Sequence, residues 1–270
     1  MAAPLAWEGQ QQSSLPIKME IAYDILQPHR LSFNIAHIDK CLDLTDRGGA
    51  LYVTSSGKDD GSLRSVNNAL LTRLCVIALM SKRQGGFESQ SVIFIDAGNC
   101  SDIYQCVNFA RQYGLDIQKV LDSIIVSRPI NIHQLGGLLI NELDTTTILQ
   151  RFGAKLVVIS DILKMFVQDS QIDQDEARWL VKEIAKSLRN LSSQIMVVIS
   201  VHECPPQYQS LLLSLFENQI DIAATRESSR LHVKVSSNLH NRHENGGSSK
   251  KRESSSFVIT ERELKIFPAR

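Results

Sequence analysis

Three short runs in this chain are apolar through their middle, with no alternation of apolar and polar residues. They are "SVIFIDA" (91–97), "KLVVISD" (155–161) and "IMVVISV" (195–201), each rich in β-branched residues. A strand with one face in water alternates apolar and polar residues; these do not alternate. Runs of this kind suit strands buried on both faces of a parallel sheet, with helices covering each face. The intervening segments agree. "DIYQCVNFARQYG" (102–114) and "HQLGGLLINELDTTTILQRFG" (133–153) have helical character and each stops at a glycine. In "DQDEARWLVKEIAKSLRNL" (173–191), Ala177, Leu180, Val181, Ile184, Leu188 and Leu191 recur at helical spacing, and Asp173 and Glu176 stand at capping-box positions. Strands alternating with helices predict an α/β fold with a largely parallel sheet.

The flanks fill in the plan. Residues 1–18, rich in Gln, Ser and Pro, read as a loose tail, and 19–270 as one core domain. Short helices are expected at 19–26 and 35–44, a strand at 50–55 and a helix from about Ser65 to Lys82. The C-terminal part alternates in "SRLHVKVSS" (229–237) and "SSFVITERELKIF" (255–267), as antiparallel strands do, around a polar loop at 236–256 read as flexible.

Composition narrows the function classes. Lys plus Arg and Asp plus Glu balance at 29 each among 270 residues, so net charge predicts neither a nucleic-acid nor a membrane partner. Five scattered cysteines include no C-x-x-C pair, which argues for free thiols rather than a zinc site or a disulfide framework. His232, His240 and His243 fall in or beside the polar loop without ligand spacing and read as solvated; no metal is expected. The N-terminus lacks the pattern of a signal peptide, and no apolar run spans a bilayer, which predicts a cytoplasmic or nuclear protein.

A strand, a glycine loop and a helix in that order form the phosphate cradle of P-loop proteins, with the pattern G-x-x-x-x-G-K-[ST]. Here "GSLRSVNN" (61–68) lies between a strand and a helix. Gly61 fills the first place, but Val66 falls on the second glycine, Asn67 on the lysine and Asn68 on the hydroxyl. The other register, "SSGKDDGS" (55–62), offers Gly57 and Lys58 followed by two aspartates, with Gly61 and Ser62 closing it. Two carboxylates there repel a triphosphate, and an asparagine supplies no charge.

The order of strings resembles the ATPase core of the RecA/RadA recombinase family from about residue 19 onward. "SVIFIDAGN", "FARQYGLDIQKVLDSIIVSRPINIHQL", "LVVISD" and "FVITERELKI" resemble successive family segments, and "AYDILQPHRLSFNIAHIDKCLDL" resembles the segment before the cradle, with Asn34 at the family's glycine. The resemblance implies a RecA-like P-loop NTPase core: a mainly parallel central sheet with C-terminal antiparallel strands. It also marks departures. Gly98 stands where the family has its water-activating glutamate, and His202 where it has a sensing glutamine. Asp161 is kept at the Mg²⁺ place, but without the lysine and hydroxyl it has little to work with. The family's first DNA loop corresponds to the acidic "FVQDSQIDQDEAR", its second to a proline-containing apolar stretch, and its N-terminal helix-hairpin-helix domain is not expected in front of this core.

The expectation is therefore a RecA-like paralogue with a decayed, non-catalytic nucleotide site and no cofactor. The resemblance implies that it assists homologous recombination and DNA repair by binding a recombinase of the RadA type or another paralogue, and single-stranded DNA. Lys250, Lys251 and Arg252 are the candidate DNA contacts. Tyr23, Leu212 and Phe216 are the candidate partner contacts, with ordinary core as the alternative. Two other readings stand beside this one: a divergent DNA-dependent ATPase, supported by Asp161 and the Gly57–Lys58 pair, and a RecA-like scaffold unrelated to DNA.

Overall fold

The computed structural model describes residues 29–56, 62–143, 147–168, 172–202, 205–213, 216, 218–224, 230–240, 250–260 and 262–263. The helix expected at 19–26, Tyr23, Gly57, Lys58 and Gly61 lie outside them. Eight strands form one sheet: β1 (Gly49–Ser56), β2 (Ser91–Asp96), β3 (Ile124–Ser127), β4 (Ala154–Ser160), β5 (Met196–Val201), β6 (Asn218–Ala224), β7 (Arg230–His240) and β8 (Lys250–Thr260). Their order is β3-β2-β4-β5-β1-β6-β7-β8. Pairing is parallel from β3 through β6 and antiparallel for β6–β7 and β7–β8.

The three apolar runs are β2, β4 and β5. The reason they do not alternate is now concrete. Leu156 and Val158 of β4 join one core cluster, while Val157 and Ile159 join the other. Each face is covered. The first carries α2 (Ser62–Leu79), α3 (Ile103–Gln112) and α4 (Ile117–Ser123), together with the segment around α1 (Ala36–Asp39). The second carries α5 (Ile132–Gly137), α6 (Lys164–Gln168), α7 (Gln174–Ser192) and α8 (Pro206–Leu213). The cap expected for α7 is present: the Asp173 carboxylate accepts from the backbone N–H groups of Asp175 and Glu176.

Other expectations are corrected. The single helix expected at 133–153 is α5 followed by two π-helical segments, Leu138–Glu142 and Thr147–Arg151. A Gly136–Gly137 pair and a run of threonines weaken the α-helical register there. The helix expected at 35–44 shrinks to the four residues of α1. β3 was not legible as a strand; it is four residues long and starts directly where α4 ends. Within the segment 236–256 read as a flexible loop, pairing continues through Ser237↔Glu253 to His240↔Lys250, so much of it is strand. Lys250, Lys251 and Arg252 therefore stand in edge strand β8.

Two residues tie the N-terminal segment to the core. Asn34, at the place of the family's glycine, has φ 54°, the left-handed region that Asn tolerates better than most residues. Its amide donates to Tyr113 Oη at 2.5 Å. Arg73 is fully buried; its guanidinium donates to the carbonyls of Glu263 at 2.7 Å and Asn34 at 3.3 Å. Burial lowers Arg73 to about 10, against the support of Tyr113 and Asp39. Burial likewise raises Tyr113 to about 12.

Leu212 and Phe216 are core residues, a correction to their reading as docking contacts. Leu212 is fully buried in the second cluster, and Phe216 stacks on Tyr52 of β1 with ring centroids 5.3 Å apart. The described apolar residues of this segment, Leu211, Leu212, Leu213 and Phe216, all pack in or against the second cluster. Leu212→Ala is expected to lower the unfolding free energy by about 2–5 kcal/mol, the range for a buried leucine. Urea titration checks this; a loss below about 1 kcal/mol would return Leu212 to the surface.

Candidate functional site

Parallel strands bring their C-terminal ends to one edge of the sheet, and ligands of such folds bind there. At that edge β1 ends near Ser55, β4 at Ser160 and β5 at Val201, while α2 begins at Ser62. Of the residues expected at the remnant nucleotide site, Asn67 and Asp161 are joined here through Ser55 and His202, while Gly57, Lys58 and Gly61 lie outside the described residues. The Asn67 amide, at the cradle's lysine position, donates to Ser55 Oγ at 3.1 Å. Ser55 Oγ lies 2.6 Å from His202 Nδ1. The backbone N–H of His202 donates to Asp161 Oδ1 at 3.0 Å. The Asp161 N–H in turn donates to Ser200 Oγ at 2.9 Å. Asp161 has φ 41°, a left-handed turn at the end of β4 that directs its carboxylate toward His202.

The chain Asn67–Ser55–His202–Asp161 thus spans α2, β1, β5 and β4. It draws together three positions that the family resemblance assigns to phosphate, the sensing residue and Mg²⁺. Ser55 was not singled out in the sequence; no motif marks it, and only the closeness of strands β1 and β5 makes it the bridge. Asn67 and Asn68 are each only 4% exposed, and their Oδ1 atoms have no hydrogen-bond partner among the described residues. A lysine at this place would present a cation, whereas these two residues present neutral amides whose oxygens repel phosphate. Ser62 opens α2. Among the described residues, the donor set does not fit a Mg²⁺-bound triphosphate.

A second polar cluster lies beside the first, centred on Asp96 at the end of β2. Asp96 is fully buried. It accepts from the N–H of Cys100 (2.8 Å), the N–H and Oγ of Ser101 (3.1 and 2.6 Å), Ser160 Oγ (3.0 Å) and Arg128 Nε (3.1 Å). Burial alone would raise its pKa, but the hydrogen bonds from Ser101, Cys100 and Ser160 outweigh it and hold the carboxyl below the ordinary 3.8. Arg128 completes the cluster with an Nη2 contact at 3.0 Å. Sequence reading passed over both residues as parts of matched strings; a charged residue inside an otherwise apolar strand end was the available signal.

Gly98, in place of the glutamate, follows directly. Its N–H donates to Ser160 Oγ at 3.2 Å, and its carbonyl accepts from the Lys164 ammonium. A Cβ at this position would stand 2.9 Å from Asp161 Cβ and 3.3 Å from both Cys100 Sγ and Ser160 Oγ. The space for a side chain has been filled from the neighbouring strand, so the missing glutamate is not a single-residue omission.

A family model described as Rad51 matches residues 34–203. The chain belongs to the Rad51 family. The match covers β1 through β5 and both polar clusters, and it agrees with the RecA-like core seen in the sheet order. With the family comes a role in recombination and repair. No curated protein matches the sequence. Among the described residues no helix is long and apolar enough to cross a membrane, and no group of three His, Cys, Asp or Glu is placed to hold a metal ion.

Two outcomes test this geometry. The Asp96 carboxyl is lowered on folding, so its stabilisation is complete above the unfolded value of 3.8 and is lost as pH falls through the folded value. Asp96→Asn is expected to flatten the fall in stability below that pH, read by thermal melts across an acid series. Gly98→Glu is expected to destabilise the fold by about 1–3 kcal/mol and to produce no ATP hydrolysis, measured by phosphate release. Hydrolysis appearing in that variant would show the rest of the site to be intact.

Proposed function

We propose that this chain is a non-catalytic paralogue within the Rad51 family. It assists homologous recombination and repair by binding a recombinase of the RadA type, or another RecA-like paralogue, at its sheet edge. The observation that carries the reading is the closed chain Asn67–Ser55–His202–Asp161: the groups left at the nucleotide place hydrogen-bond to one another instead of facing a ligand. A protein of this family without nucleotide lacks the ligand that sits between neighbouring protomers. Its association must then rest on protein surface alone.

Leu212 and Phe216 are buried and Tyr23 lies outside the described residues, so the support for such a surface comes from another edge of the sheet. β3 is the outermost strand on one side of the sheet, and no described strand pairs with its free edge. An unpaired edge is a template for a further strand. Beside it lies a groove of about 410 Å³ lined by Phe94, Cys106, Leu121, Ile124, Val126 and Arg128. Of its lining residues, Val126 is 52% exposed and Ile103 59%, so apolar surface is open to solvent there. An extended partner segment that adds to β3 and drops a large apolar side chain into the groove fits both features.

Three measurements bear on this. Purified protein is expected to bind ATP more weakly than about 1 mM, about 4 kcal/mol of binding free energy; micromolar, Mg²⁺-dependent binding by calorimetry would overturn the non-catalytic half. Val126→Asp combined with Ile103→Asp is expected to abolish co-purification with the cell's main recombinase at an unchanged melting temperature. Failure of the unaltered protein to co-purify with any recombinase or paralogue, with or without single-stranded DNA, would overturn the recombination role itself.

A further inference from the structure

Arg73 has a place in the fold that neither the nucleotide site nor β3 accounts for. It stands in the middle of α2, where Leu70, Leu71, Leu74 and Ile77 are all fully buried around it in sequence. A charge in such surroundings is strongly destabilising unless hydrogen bonds or counter-charges hold it. Its two carbonyl acceptors come from opposite ends of the described chain. One belongs to Glu263 and the other to Asn34. A single buried guanidinium thus joins the N-terminal segment, the first core helix and the C-terminal end.

Each acceptor is held by its own polar device. At the C-terminal end, "TERE" (260–263) has capping-box spacing, and both halves of the box are formed. The Glu263 N–H donates to Thr260 Oγ1 at 3.3 Å, while Glu263 Oε2 accepts from the Thr260 N–H and hydroxyl at 2.6 and 2.9 Å. The box turns the chain where β8 stops and sets the Glu263 carbonyl 2.7 Å from Arg73 Nη1. At the N-terminal end, the Asp39 carboxylate accepts from the N–H groups of Phe33 (2.6 Å) and Ile35 (3.2 Å) and from Ser32 Oγ (2.8 Å). These bonds wrap the chain around Asn34, whose carbonyl lies 3.3 Å from Arg73 Nη2. Asn34 has φ 54°, a strained conformation that persists only where its surroundings hold it. A ring contact adds a second tie between the two ends: His37 stacks on Phe257 of β8 with centroids 5.2 Å apart.

We propose that the capping-box turn at Thr260–Glu263 is a latch on the N-terminal segment 29–46, with Arg73 as the post on which both close. Withdrawing the turn takes the closest acceptor from a buried guanidinium, and a charge so stripped disrupts whatever remains around it. Helix α2 is locked into the core and stays. The loop at Asn34 is strained and lies at the margin of the core, so it is the part that opens, as a local unit rather than with the whole fold. The coupling is reciprocal: drawing either end away loosens the other by the same factor. A protein that takes up the C-terminal end therefore releases the N-terminal segment, with no nucleotide involved. The latch is independent of the partner role and of the β3 edge.

The test is amide hydrogen exchange of the full chain, read peptide by peptide by mass spectrometry. Thr260→Val combined with Glu263→Ala dissolves the capping box; Glu263 is exposed and Thr260 half-buried, so the core is left as it is. Amides of residues 29–46 are expected to exchange about tenfold faster, the scale of a lost helix cap, while β2, β4 and β5 keep their protection. Asp39→Ala, which frees the opposite end, is expected to speed exchange across residues 250–260 by a similar factor. Faster exchange at residues 257–263 with 29–46 unchanged overturns the latch, because the two ends then open separately. Asp39→Ala silent at residues 250–260 overturns it for the same reason. A uniform rise that includes β2, β4 and β5 also overturns it, since the turn then contributes only to global stability.

Discussion

The polar clusters of this molecule follow from central strands that have no wet face. With a helical layer on each side, β4 and β5 send successive side chains into two separate cores, and water reaches these two strands only at their ends. A polar group at such an end must find a partner within a few ångströms or pay the full desolvation penalty. In an NTPase of this fold, nucleotide and metal provide many of those partners. Here the protein supplies its own: Ser55, Ser160, Ser200 and Ser101 stand between the larger polar groups and bond to them. Serine suits the task, since one hydroxyl both donates and accepts and turns to meet its neighbour.

The sheet was legible in the sequence because burial on both faces leaves a signal that needs no partner information. β2, β4 and β5 were placed to within about a residue, and the antiparallel pair β7–β8 followed from alternation. Legibility ended where local pattern stopped deciding structure. β3 is too short to show a period. The threonine run near 145–147 carries no helical stripe. The hairpin strands continue into polar residues, because backbone pairing in an antiparallel ladder does not require apolar side chains.

The candidate site was legible in a different way. Motif positions identified Asn67, Gly98 and His202 as departures and Asp161 as retained, and the structure brings all four to one sheet edge. What pattern could not show is that the departures fit one another. Gly98 has no room for a side chain because Asp161, Cys100 and Ser160 have closed in on it; Asn67 is held by a serine from β1 that no motif names. Leu212 and Phe216 failed for the converse reason. A segment that is apolar all round announces burial but not the surface against which it is buried, and Tyr52, a neighbour in space only, decides the matter.

The sheet's two outer strands are chemically unlike. β3 is apolar and short, with Ile124, Ile125 and Val126 in its four residues, whereas β8 begins Lys-Lys-Arg-Glu. Charge on an edge strand discourages further pairing, while an apolar edge invites it. Seen as a building unit, the protein has a sticky end and a guarded end. Under the partner role proposed above, strand addition is therefore confined to the β3 side of the described sheet, which grows in one direction only.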